Sequence, residues 1–244
     1  MSTTYTEQDW LQTPLGQYLL AREQVLYDHA VADVFGFNAL QLGLPQADLL
    51  HECRIPFRFK AAPWGEVPLR CQFDQLPFAT HSADLLLLPH VLEYSASPHQ
   101  TLREAERILL PEGHLILSGF NPVSLWGAQR LFGKCHGYPW TGNFLSLPRL
   151  KDWLSLLGLE VVAGRMGCYA PPFGSEKWIN RCRFMDRAGD RWWPMLGGIY
   201  FLVAKKRVLG MRLIRPSWNS SKMVQALMPK PTQKAECQKT EHGK

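Results

Sequence analysis

Residues 71–120 read CQFDQLPFATHSADLLLLPHVLEYSASPHQTLREAERILLPEGHLILSGF, and their punctuation decides the fold. Ala83–Leu88 is a continuous apolar run, the composition of a strand covered on both faces of a parallel sheet. A helix follows. Ser97 is placed to cap it, Pro98 takes its first position and Gln100 the capping-box position. Leu102, Ala105, Ile108 and Leu109 share one apolar face, and Gly113 is placed to close the helix. His114–Ser118 (HLILS) then reads as another strand. Buried strand, amphipathic helix and apolar strand in succession are the grammar of an α/β sheet.

The flanking sequence repeats that grammar. Leu19, Leu20, Val25, Leu26, Val31 and Val34 give residues 14–35 helical spacing, so an N-terminal helical extension is expected over about 10–36. Asn38–Leu44 is a short apolar strand running into a turn at Gly43 and Pro45. Ile55–Ala61 and the alternating Val67–Phe73 are further extended candidates. In residues 148–158, Pro148 comes early, Leu150, Trp153, Leu154 and Leu157 share one face, and Gly158 ends a second helix. Leu159–Ala163 and Gly198–Ala204 complete the strands. The expected fold is α/β and Rossmann-like, a mostly parallel, seven-stranded type of sheet flanked by helices.

Charge narrows the partners. The chain has 244 residues and a net charge of +6, from 27 Lys and Arg against 21 Asp and Glu. Residues 205–244 hold ten of those bases and two of the acids, so residues 1–204 carry 17 against 19. The body is near neutral, and composition indicates no basic groove for a phosphate backbone. With 46% hydrophobic residues the chain has enough apolar side chains for a core, which excludes wholesale disorder. Six scattered cysteines without a CxxC pair suit reduced thiols, and Cys135-His136 lacks nearby partners, so no metal is expected. Glu7 and Asp9 stand where a signal peptide would be basic, and no apolar run spans a bilayer; a cytoplasmic location is expected.

The 71–120 segment resembles the second half of the class I S-adenosylmethionine-dependent methyltransferase domain, in its type 11, ubiquinone-biosynthesis-like branch. The resemblance rests on the turn Leu76-Pro77-Phe78, on Asp84 opening the fourth strand, and on His90-Val91-Leu92-Glu93 at that strand's end. It continues through Leu102-Arg103-Glu104-Ala105-Glu106-Arg107-Ile108-Leu109 and the turn Pro111-Glu112-Gly113. It implies a methyltransferase with S-adenosyl-L-methionine as cofactor. The first half departs from the family. Of the acidic-x-Gly-x-Gly-x-Gly turn only Gly43 remains, with Gln41 in place of the carboxylate and Pro45 in place of the second glycine. The acid that should close strand two, where dinucleotide folds grip a ribose, has no clear counterpart, and Glu66 is displaced. Only 41 residues separate Gly43 from Asp84, so the intervening helices must be short or absent.

The resemblance nominates Gln41, Gly43, Asp74, Leu76, Pro89 and His90 for the cofactor, with Asp74 standing in for the adenine-side acid that falls on Gln72. His90 is read as a general base, or as a residue bonding a backbone carbonyl. Glu93 is read as a local cap or ion-pair partner, and Arg103 and Arg107 as a solvated helix face. Asn121-Pro122-Val123-Ser124 is a turn on the pocket wall, with Asn121 a candidate substrate contact. Trp178, Trp192, Trp193 and Tyr200 line an acceptor pocket or, as favoured, form core.

Three functions are carried forward. The first is a methyltransferase, its acceptor unidentified, with a small molecule favoured. The second is an inactive descendant used as an interaction module. The third assigns the basic tail, residues 205–244, to weak contact with RNA or an anionic membrane, against a solubilising extension that is otherwise disordered.

Overall fold

The computed structural model describes residues 6–132, 137–172 and 193–207, together with Trp178, Arg181, Asp186, Gly189 and Arg191. Two helices open the chain, α1 (Glu7–Leu11) and α2 (Pro14–Val31). Thr13 caps α2 by accepting from the Gly16 N–H at 3.2 Å, and Pro14 occupies the first turn. The strands are β1 (Asn38–Leu42), β2 (Phe57–Ala62), β3 (Leu69–Arg70), β4 (Ala83–Pro89), β5 (Leu109–Phe120), β6 (Leu159–Gly167) and β7 (Ile199–Lys206). They form a seven-stranded sheet in the order β3-β2-β1-β4-β5-β7-β6. β7 runs antiparallel to both neighbours, and the remaining pairs are parallel. No described helix joins β1 to β2 or β2 to β3, as the short spacing from Gly43 requires.

Alternate residues of the central strands feed two cores. Leu85, Leu87, Ile116 and Phe201 face α1 and α2. Leu86, Leu88, Leu115, Leu117 and Leu202 face α4 (Pro98–Ile108) and α6 (Leu147–Leu156). This explains the unbroken Leu85–Leu88 run: with both faces covered, neither alternate set is free to be polar. Val91–Tyr94 forms the short α3 after β4, and Leu125–Phe132 forms α5 after β5.

The motifs of the 71–120 segment brace one another. Asp84 Oδ2 accepts from the Phe37 and Asn38 N–H groups at 2.7 and 3.0 Å, fastening the start of β1. Glu104 accepts from the Leu76 N–H at 3.0 Å, while Arg107 donates to the Leu76 and Phe78 carbonyls at 3.1 and 2.9 Å. Arg107 therefore clamps the Leu-Pro-Phe turn, and only Arg103 matches the solvated face expected of the pair.

Several expectations need correction. Ser97 makes no side-chain cap bond; Ser95 Oγ instead accepts from the Ser97 N–H and meets Thr101 Oγ1 at 2.8 Å. Gly113 does not end α4. It lies within β5, where a Cβ would come within 2.9 Å of the Leu110 carbonyl oxygen. The Val67–Phe73 alternation yields only the two-residue edge strand β3. Lys205 and Lys206 belong to β7, where buried Lys206 bonds Glu106 Oε1 at 2.8 Å; Arg207, just beyond, pairs with Glu112 and Glu160. Tyr200 is core, whereas Trp178 and Trp193 are exposed; Trp192, Cys135-His136 and residues 208–244 lie outside the described residues.

No described helix is long and apolar enough to cross a membrane, and no group of three metal-ligating side chains occurs among the described residues.

Candidate active site

The carboxyl ends of β1 and β4 carry unusual backbone. Gly43 has φ 83°, Leu44 φ 44° and His90 φ 52°. Left-handed backbone at a residue with a side chain costs about 1–2 kcal/mol, so Leu44 and His90 must be held by their surroundings. For the β1 turn the holder is Gln41. Its amide donates to the carbonyls of Gly43, Leu44 and Ala47 at 3.0–3.2 Å and accepts from the Leu49 N–H at 3.2 Å. A carboxylate could accept but not donate these bonds, which is why an amide suits this position.

For His90 the holders are two carboxylates. Nε2 lies 2.9 Å from Glu23 Oε1 on α2, and Nδ1 lies 3.0 Å from Glu93 Oε2. Glu93 Oε1 also accepts from the Phe120 N–H, and the Phe120 ring packs 4.2 Å from the imidazole. All three ionisable side chains are buried. Burial works against the imidazolium, but the charge of Glu23 and the hydrogen bonds to both carboxylates outweigh it and push the His90 pKa up to about 10. Burial raises the Glu93 carboxyl, and His90 and the Phe120 N–H pull it part of the way back. Neither ring nitrogen is open to take a substrate proton, contrary to the general-base expectation.

These turns enclose a cavity of about 660 Å³. Gly43, Leu44, Pro89, His90 and Val91 form its floor, and Trp64, Gly65 and Phe73 one wall. Trp64 meets Phe73 edge-on, with ring centroids 5.8 Å apart. Tyr94, Tyr138 and Thr141 also line it, and α1 contributes Glu7 and Gln8. The rings of Tyr94 and Tyr138 stack at 5.0 Å. Tyr94 donates to the Pro139 carbonyl, whereas the buried Tyr138 hydroxyl has no partner among the described residues. Burial holds that phenol protonated.

Of the sequence candidates, the structure brings Gly43, Pro89 and His90 to the cavity. Gln41 and Leu76 are buried beside it as braces, and Asp74, half-buried, follows Phe73 without lining it. Asn121 is a correction. Its amide donates to the Met195 and Gly197 carbonyls and its Oδ1 accepts from the Val123 N–H, so it ties a turn together away from the cavity. Glu23, Glu7 and Tyr138 were not anticipated. Glu23 left a signal: Leu15, Leu19, Glu23, Tyr27 and Val31 recur every four residues and are all buried, so a carboxylate stands in the middle of an apolar stripe. Glu7 and Tyr138 left none, because their neighbours in space are remote in sequence.

A sheet of this order with one antiparallel strand, and a cavity at the carboxyl ends of β1 and β4, are the fold of class I S-adenosylmethionine-dependent methyltransferases. Residues 46–117 match the family model described as a methyltransferase domain, type 11. The chain belongs to the same family as "Uncharacterized protein YafS" of Escherichia coli (strain K12), with 32% identity over 225 residues and 89% of each chain covered. Among solved structures, a methyltransferase of this class from Archaeoglobus fulgidus superposes with a TM-score of 0.55 at 16% identity, covering 78% of this chain and 94% of that one. Another, from Thermotoga maritima, gives a TM-score of 0.55 at 16% identity over 75% of this chain and 89% of that one. The family match favours an enzyme over a non-catalytic module on the same fold.

Proposed function

We propose that the chain binds S-adenosyl-L-methionine in the 660 Å³ cavity and methylates a small molecule admitted at its Tyr94–Tyr138 side. The observation that carries this reading is the left-handed Gly43 on the cavity floor, where a ligand can approach the backbone. The residues fit such a cofactor: Gly43 turns left-handed at the cavity, Trp64, Phe73, Tyr94 and Tyr138 line it with aromatic rings, and Glu7 adds a carboxylate. When bound, the cofactor supplies an electrophilic methyl group on a cationic sulfur.

The chain's own contribution is positioning, which general estimates rate at roughly 7–11 kcal/mol of a barrier. Gly43, Leu44 and Pro89 form the floor, and Gln41 holds the loop that carries the first two. His90, held as an imidazolium between Glu23 and Glu93, positions the β4 turn and does not shuttle protons. Tyr94 and Tyr138, stacked along the cavity, position the acceptor, and Asp74 and Leu76 act through the turn around Phe73. A near-neutral body agrees with a small-molecule acceptor.

Calorimetric titration with S-adenosylmethionine and S-adenosylhomocysteine is the test. Binding is expected for both ligands. No heat at millimolar ligand would overturn the reading.

A further inference from the structure

One part of the cofactor site has no occupant on the strand where dinucleotide-type folds place it. Those folds use a carboxylate at the end of the second strand to accept from ribose hydroxyls. Here β2 runs into Ala62-Pro63-Trp64-Gly65-Glu66. Glu66 is exposed and does not line the cavity. Gly65 has φ 84°, and a Cβ on it would come within 2.7 Å of Pro45 Cγ. The two turns after β1 and β2 are thus packed together, with no acid side chain between them.

A carboxylate arrives from elsewhere. Glu7, on α1, is the sole acidic residue on the cavity wall among the described residues. Its Oε2 accepts from Trp64 Nε1 at 2.5 Å, so it is pinned to the segment that directly follows β2. Trp64 is the one hydrogen-bond partner of the Glu7 carboxylate among the described residues. Burial raises the carboxyl's pKa, while the Trp64 bond and the charge of His90 oppose that shift. The helix that delivers it is fastened. Trp10 and Leu11 are buried, Trp10 packs 5.3 Å from the Tyr138 ring, and Gln17 donates to the Leu11 carbonyl at 3.0 Å.

We propose that Glu7 is the ribose-binding carboxylate of this enzyme, supplied by the N-terminal helix in place of the missing acid of β2. The inference rests on the cavity's being the S-adenosylmethionine site. Chemically, a carboxylate with acceptor capacity left beyond the Trp64 bond suits a vicinal diol, because each hydroxyl needs an acceptor and the carboxylate is acceptor-only. The indole bond restrains the Glu7 side chain before a ligand binds.

The test is a ligand-and-variant cycle on the full-length protein, read by calorimetry rather than turnover. S-adenosylhomocysteine and its 2′,3′-dideoxy analogue are titrated into wild type, Glu7→Gln and Trp64→Phe. Hydrogen bonds to a charged group imply that Glu7→Gln weakens the parent ligand about tenfold to hundredfold. The dideoxy analogue should bind wild type and Glu7→Gln equally weakly. Trp64→Phe keeps the carboxylate and should keep the discrimination between the two ligands, which tests the idea even if Glu7→Gln folds poorly. Equal weakening of both ligands by Glu7→Gln would assign Glu7 to holding α1 alone and overturn the proposal. So would discrimination that survives Glu7→Gln intact. If wild type binds neither ligand, the cofactor-site reading itself fails, a result distinct from either.

Discussion

Replacing His90 with Gln probes the buried cluster at the end of β4 most directly. In the folded chain the His90 pKa is pushed up to about 10 from an ordinary 6.5, because Glu23 and Glu93 stabilise the charged form by more than burial disfavours it. Such a gap corresponds to coupling on the order of 3–5 kcal/mol, since each pH unit is worth about 1.4 kcal/mol and the site is fully desolvated. Removing one partner of a buried ionic group costs a similar amount, about 3–5 kcal/mol, because the remaining charge is left uncompensated. The sign follows from linkage. A raised pKa on a base gives stability that is fully present below its unfolded value and is lost as pH rises through the folded one. Wild type should therefore weaken between about pH 6.5 and pH 10. Denaturant unfolding of wild type and His90→Gln across that range is the assay. The difference should be near 3–5 kcal/mol at pH 6.5 and shrink towards pH 10, where wild-type His90 is itself becoming neutral. A difference that is constant with pH, or below about 1 kcal/mol throughout, would refute the imidazolium reading.

Gly43→Val should abolish cofactor binding, because φ 83° resists a side chain and a Cβ there meets Val91 Cγ2 at 2.9 Å; calorimetry checks it, with circular dichroism to establish folding. Tyr138→Phe removes a buried hydroxyl that has no partner among the described residues and should leave the ligand-free protein as stable or up to about 1 kcal/mol more stable. Thermal unfolding without ligand checks it, and a clear loss of stability would contradict it. Arg107→Met should destabilise by about 1–2 kcal/mol, since the carbonyls of Leu76 and Phe78 lose their donor; slower amide exchange in that turn would contradict it.

The sequence was legible where chemistry is local. Leu85–Leu88 announced a buried strand, and its register in the sheet places the next residues, Pro89 and His90, on the cavity floor. Gly43 stood out as the lone survivor of a glycine turn, and the short spacing to Asp84 foretold the missing helices. Local rules misled where a tertiary partner outbid them. Ser97 had the sequence of a cap, but Ser95 and Thr101 bond across the helix start instead. Asn121 looked free to meet substrate, yet the carbonyls of Met195 and Gly197 claim its amide.

The difference between the two kinds of information has a physical origin. Hydrophobic period, helix punctuation and strand length follow from backbone geometry and side-chain burial within a few residues, so the sequence alone determined an α/β sheet of the methyltransferase type with an altered glycine turn. Electrostatic neighbours are set by contacts between segments remote in the chain. Glu23 reaches His90 across 67 residues, and Glu7 reaches Trp64 across 57. Those contacts exist only once α1 and α2 dock on the sheet. The tertiary structure alone therefore decided that His90 is a clamped cation, and that a carboxylate from the N-terminal helix stands at the end of β2.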